Sequence, residues 1–257
     1  MKKLLLFALL IGNAFAISVS PKDAEQIGVK IWKNECGGTL EGLTHWGKNE
    51  NFPSLGIGHF IWYPAGKKDR FTEGFPPLLT FLRNEKVSIP AWLQSADACP
   101  WNSREEFYSQ IDSPKMKQLR QFLFNTRNFQ ALFIANRLEK ALPQMIEKLS
   151  PQEKEKITAI FNRLASGPEG LYALIDYVNF KGEGTSPTEA YKGQGWGLLQ
   201  VLQAIPVSSK NIVGDFVEAA KKVLAQRIKN SPPEKHEEKY LQGWSNRLET
   251  YKKGNAE

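Results

Sequence analysis

Two glutamates stand where a helical pattern gives way to glycine. Glu35 falls in Asn34-Glu35-Cys36-Gly37-Gly38, and Glu183 in Asn179-Phe180-Lys181-Gly182-Glu183-Gly184-Thr185. A carboxyl group at such a point lies at the lip of the core, where partial desolvation disfavours the charged form. An acid of that kind can protonate the leaving oxygen of a glycosidic bond, while a second carboxylate activates water or attacks the sugar. Flanking glycines let backbone approach a bound ring closely. Glu35 is the leading candidate acid, and Glu183 is the candidate second carboxylate or substrate-binding group, with both segments expected to line one cleft. A separation near about 5 Å would imply retention and one near about 8 Å inversion. Glu50 and Asp176 are weaker candidates, and Asp176 reads as a polar position on its helix.

Sugar clefts pair flat apolar faces with polar hydrogen-bonding groups. Trp46, Trp62, Tyr63, Tyr177, Tyr191 and Trp196 flank the two glutamate segments, and Gln194 and Gln200 are placed to bond N-acetyl or hydroxyl groups or, equally, to cap the surrounding backbone. Other chemistries find little support. The histidines His45, His59 and His236 are scattered, and no Cys/His spacing suits zinc. No Gly-x-Ser-x-Gly elbow or phosphate-binding glycine loop is present. Neither a metal nor an organic cofactor is implied.

The elements that must position these residues are mostly helices. Ser20-Pro21-Lys22-Asp23 is a helix start, and Ala24, Ile27, Ile31 and Trp32 follow at helical spacing until Gly37-Gly38 stops the helix just past Glu35. Residues 39–66 are rich in Gly, Asn, Pro and Ser and contain the β-prone run Leu55 to Tyr63, which predicts a small hairpin or sheet. Apolar faces then recur at Phe75–Leu82, Leu119–Leu123 and Leu132–Met145. Ser150-Pro151-Gln152-Glu153 predicts a capping box, and Gly167-Pro168 opens a helix ending near Phe180. A Gly-rich loop is expected over 181–194, with helices near 196–204, 213–229 and 233–252. This order predicts an α+β fold, predominantly α-helical, with the β unit near the N-terminus and additional C-terminal helices.

Composition sets the setting. Lys2 and Lys3, the apolar run Leu4 to Ile11 and Ala14-Phe15-Ala16 make residues 1–16 an expected signal peptide, and the mature chain a periplasmic or secreted protein without stable membrane insertion. The formal net charge of +7 falls to +5 without Lys2 and Lys3, which suits an anionic partner as well as plain solubility. No Lys/Arg stripe marks a nucleic-acid surface. The two cysteines, Cys36 and Cys99, could pair or stay free in an oxidising compartment.

Ser54-Leu55-Gly56-Ile57-Gly58-His59 resembles the hairpin motif of phage-type lysozymes, in which a Gly-Ile-Gly-His run follows a small hydroxyl residue some twenty residues after a catalytic Glu that closes the first helix. Glu35 matches that Glu, Ser54 the hydroxyl residue that contacts substrate, and His59 a structural histidine; the match covers roughly residues 21–63. Where those enzymes carry an Asp in the hairpin, this chain has Lys48, with Asn49, Glu50 and Asn51 beside it. Gly197-Leu198-Leu199-Gln200, which begins fourteen residues after Glu183, is similar to the Gly-Leu-Met-Gln run that follows the catalytic Glu of soluble lytic transglycosylases and goose-type lysozymes; Gly184 replaces their usual Ser. The resemblance implies a lysozyme-like superfamily member: residues 17–257 as a single catalytic domain with a helical extension, acting on peptidoglycan or a related amino-sugar polymer. Its product, a reducing or an anhydro sugar, is left open. The rival expectations are a non-catalytic cell-wall-binding protein on the same fold and a glycosidase for another amino-sugar polymer.

Overall fold

The computed structural model describes residues 17–252 except Arg70, so the expected signal peptide lies outside the described residues. The fold is α+β with helix dominant. The first helix, α1 (Pro21–Cys36), begins as its sequence dictates: the Asp23 N–H donates to Ser20 Oγ at 3.1 Å, and Gly37 ends it in the left-handed region at φ 61°. Its buried stripe of Ala24, Ile27 and Ile31 lies along α6 (Arg127–Ile146). The two helices cross so closely at Gly28 that a Cβ there would stand 2.8 Å from the Arg127 carbonyl oxygen.

The β unit is a three-stranded antiparallel sheet, β1 (Thr44–His45), β2 (Ser54–Leu55) and β3 (Phe60–Ile61), in which Ser54 faces His45 and Ile61. Its β2–β3 turn is held from below by one buried amide. Gln130 of α6 accepts the Ile57 N–H at 2.9 Å and donates to the Leu123 carbonyl and Thr126 Oγ1. The same glutamine leaves no room for a side chain at Gly56, whose φ is 71°.

Between β3 and α6 run α2 (Phe75–Asn84), the short α3 (Ala91–Gln94) and α4 (Arg104–Ser109), and α5 (Pro114–Asn125). The two short helices were not expected from periodicity. The predicted capping box opens α7 (Pro151–Ala165), with the Glu153 N–H on Ser150 Oγ and Glu153 Oε2 accepting the Ser150 N–H. Next comes α8 (Pro168–Lys181), buried at every position from Leu171 to Tyr177. A helix covered all round is the centre of a domain, and α8 touches α1, α6, α7, α9 and α10. The Gly-rich segment after it folds into a hairpin, β4 (Ala190–Tyr191) with β5 (Gln194–Gly195), and leads to α9 (Leu198–Ala204) and α10 (Ile212–Asn230). The helix expected over 233–252 is interrupted: His236 is left-handed at φ 47° between two 3-10 turns, and the α-helix is only α11 (Leu241–Glu249). Cys36 and Cys99 are both buried and unbonded, and burial pushes each thiol up to about 12. No helix among the described residues is long and apolar enough to cross a membrane.

Gly56→Ala combines left-handed strain with collision against Gln130 and a broken buried hydrogen bond; urea unfolding should show a loss of about 3 kcal/mol or more. Gly66→Ala, equally left-handed at φ 72° but open on all sides, should cost only about 1 kcal/mol.

Candidate active site

Glu183 follows directly on the end of the central helix. Gly182 (φ 80°) and Gly184 (φ 82°) turn the chain on either side of it. The start of α9 then clamps this turn: the Leu198 N–H donates to the Gly182 carbonyl and the Leu199 N–H to the Glu183 carbonyl, both at 3.0 Å. Gln200 completes the clamp, with its amide N–H on the Gly184 carbonyl and its Oε1 accepting the Gly197 N–H, both at 2.9 Å. Gly184 and Gly197 meet backbone to backbone, and a Cβ on either would collide. The spacing from Glu183 to Gly197 and Gln200 therefore has a physical basis: it fixes the position of Glu183.

Glu183 lines an open cleft of about 560 Å³. One wall comes from Gly58–Ile61 of the β unit, another from residues 178–183 at the end of α8, and the rest from Phe71, Thr72, α6 and Trp196. The hairpin residues Gly58–Ile61 and the turn carrying Glu183, far apart in the chain, thus converge on one groove, whereas Glu35 and the glycines after it are not part of its lining. Glu189 lies in the same groove. Burial raises its pKa, the Gly184 N–H it accepts opposes this, and the neighbouring Glu183 charge raises it further. A carboxyl biased toward its protonated form beside a second carboxyl is the equipment of acid–base chemistry.

Glu35 is placed differently from expectation. Its side chain is 13% exposed, and Arg247 Nη2 donates to its Oε1 at 2.6 Å. Asn179 Nδ2 donates to the same oxygen at 3.1 Å, and His59 Nδ1 stands 3.7 Å from Oε2. His59 and Asn179 line the cleft, and Glu35 sits behind them. The bare acid at the lip is instead an ion-paired carboxylate. Its partner is shared, because Arg247 also donates Nε and Nη2 to the two oxygens of Asp176 at 2.8 Å each, while Tyr251 adds a bond to Asp176 of 2.6 Å. Asp176, read as a polar position on its helix, is 0% exposed. Burial alone would disfavour the Arg247 charge, but Asp176 and Glu35 outweigh it and hold the guanidinium protonated well above its ordinary value.

The remaining expectations divide. Trp196 lines the cleft, under the Arg227 guanidinium at 4.1 Å. Trp46, Trp62 and Tyr177, expected on the substrate, are core residues; the Trp46 indole N–H is taken by the Glu50 carbonyl and the Tyr177 hydroxyl by the Trp196 carbonyl. Large rings at helical or strand spacing are drawn inside by their area, and sequence does not separate the two fates. Ser54 stands in β2, outside the cleft lining. Gln194 accepts a bond from Asn230, and Gln200 is the clamp described above, so both are spent on the protein. Glu50 accepts the Gly47 N–H and holds its own loop. His59, expected as a packed core histidine, is 40% exposed at its side chain and aimed into the cleft from a left-handed backbone at φ 45°.

Sequence reasoning missed Glu189, Lys181, Arg227 and Arg247. Only Glu189 had a signal, a second carboxylate six residues past Glu183 in the same Gly-rich stretch. Lys181 lies with its Nζ 3.8 Å from the ring centroids of both Phe180 and Trp244, and burial, helped by Arg227 and Arg247, lowers its pKa to about 7. Among the described residues, no group of three or more His, Cys, Asp or Glu is arranged to hold a metal ion. Comparison of the chain with protein-family models, curated proteins and solved structures gave no match.

Arg247→Met would leave Asp176 buried without its cation, and chemical denaturation should register a loss of about 3–5 kcal/mol. The Glu189 pKa is higher in the folded than in the unfolded chain, so the folded protein binds the extra proton, and stability falls as pH rises through the window between the two values. Glu189→Gln should remove that slope from a plot of Tm against pH and raise Tm at neutral pH relative to the parent.

Proposed function

We propose that the chain cleaves the glycan strand of peptidoglycan, or of a closely related amino-sugar polymer, with Glu183 and Glu189 as the carboxyl pair at the scissile bond. The observation that carries this reading is the convergence of the Gly58–Ile61 hairpin and the Gly182–Glu183 turn on one open groove, with Glu183 and Glu189 together on its wall. One carboxyl of the pair gives its proton to the glycosidic oxygen as the bond breaks. The other, as carboxylate, faces the sugar carbon on which positive charge develops; an oxygen of water or of a hydroxyl of the same sugar then bonds to that carbon, and its proton passes to a carboxylate of the pair. The likeness of the Ser54–His59 run to the phage-type lysozyme hairpin motif, and of the Gly197–Gln200 run to the one that follows the catalytic Glu of soluble lytic transglycosylases, supports the same substrate class.

Glu35 has a different part in this scheme from the one its position in the sequence first suggests. Paired with Arg247, it orients Asn179 and His59 on the groove wall and acts on the substrate through them.

Glu183→Gln should abolish clearing of murein in a zymogram, a fall of about 100-fold or more, with an unchanged circular dichroism spectrum. Glu35→Gln should keep measurable clearing, reduced by about tenfold through a loosened wall. Full clearing by Glu183→Gln together with none by Glu35→Gln would return the acid role to the first helix. Murein binding by the unsubstituted protein without release of any sugar fragment would replace cleavage with a wall-binding role.

A further inference from the structure

Four side chains that can carry positive charge line the cleft: His59, Arg137, Lys181 and Arg227. Three are engaged within the protein. Arg227 donates to both oxygens of Glu237 at 2.8 Å each. Lys181 is wedged between the rings of Phe180 and Trp244, and His59 faces the Glu35 carboxylate. Arg137 is the exception. It stands exposed on α6, forms no ion pair with any described residue, and has only the Phe133 ring beneath it at 5.9 Å. Neither carboxylate of the groove neutralises it.

Phe71 lines the same groove and is 45% exposed, which is unusual for a ring in this protein, where most aromatic area is buried. A free guanidinium presents a planar fork that fits a carboxylate through two parallel hydrogen bonds, and its attraction is strengthened in a groove with low-dielectric walls. An exposed ring supplies the flat face that a pyranose covers. A groove for an uncharged sugar polymer has use for the ring and none for the unpaired cation.

Resting on the glycan-cleavage reading, we propose that Arg137 makes the groove selective for amino-sugar strands bearing carboxylate groups. The carboxylate is either that of the sugar's own lactyl ether or that of an attached stem peptide. Arg137 is a specificity-determining residue in this scheme: it binds a substituent of the strand and takes no part in bond cleavage.

The test is calorimetric binding in the Glu183→Gln background, which removes turnover. The probes are a peptide-free tetrasaccharide of alternating N-acetylglucosamine and N-acetylmuramic acid, the same tetrasaccharide with its carboxyls amidated, and a version carrying stem peptides. The acid should bind about tenfold more tightly than the amide. Adding Arg137→Gln should shrink that ratio to within about twofold, and Arg137→Lys should restore part of it. Phe71→Ala should weaken acid and amide alike and leave their ratio intact. If the ratio appears only with the stem-peptide probe and Arg137→Gln erases it, the recognised carboxylate is on the peptide and the assignment stands. Equal binding of acid and amide across all probes, or a preference that survives Arg137→Gln, overturns the role of Arg137 while leaving glycan binding intact. Failure of every probe to bind overturns the glycan reading itself.

Discussion

The structure hangs on a charge that could not be buried alone. Asp176 sits in the middle of α8, within the stretch buried at every position from Leu171 to Tyr177, where an unpaired carboxylate would cost several kcal/mol. Arg247 makes the position tolerable by meeting both of its oxygens, and Tyr251 adds a third hydrogen bond. That requirement ties α11 to the centre of the molecule. It also leaves one guanidinium N–H pointing at the end of α1, and Glu35 takes it. Replacing such a triad by apolar groups is often neutral for stability, so its value lies in where it puts things. Three helices remote in sequence are held in one arrangement, and Asn179 and His59, which complete the shell of Glu35, become the wall of the groove.

A second constraint acts on the opposite lip. Gly184 and Gly197 can touch only because neither has a Cβ, and the contact brings the first amides of α9 onto the carbonyls of Gly182 and Glu183. A side chain at either position would push the Glu183 turn outward and open the groove. Positioning by backbone contact is stiffer than positioning by long side chains, whose rotamer freedom must be lost for every bond they make. The Glu183 turn is therefore set by main chain, while the polar wall around Glu35 is set by ion pairs.

Much of this was readable in the residues. The caps at Ser20 and Ser150 are local devices, satisfied within one turn, so the sequence alone places the starts of α1 and α7. The β-prone run after residue 54 and the two glycine-flanked glutamates are likewise local patterns, but of the two glutamates only Glu183 lies on the groove. What sequence could not supply were partnerships across long separations. Nothing near residue 247 announces a partner at 35 or 176, and so Glu35 read as a lone acid and Asp176 as no more than a polar position on its helix. The aromatics failed for a related reason: Trp46 and Trp62 beside the hairpin have the same neighbours in sequence as a sugar-stacking residue would, and only packing shows that they face inward. The helix expected to Lys252 broke at His236, where a left-handed residue lets two 3-10 turns bring Glu237 under Arg227.

The span of the Glu35–Arg247 contact, 212 residues, has a temporal side. Closing so long a loop gives up entropy before its contact is made, and contacts of large sequence separation form after local ones. During synthesis the first helix, the β unit and the central helix can collapse while the stretch carrying Arg247 has yet to emerge. Through that interval Asp176 has no cation, and the groove wall behind His59 has nothing to brace it. The groove is therefore finished last, and a nascent or foreshortened chain carries every glutamate of the groove without the frame that gives them work.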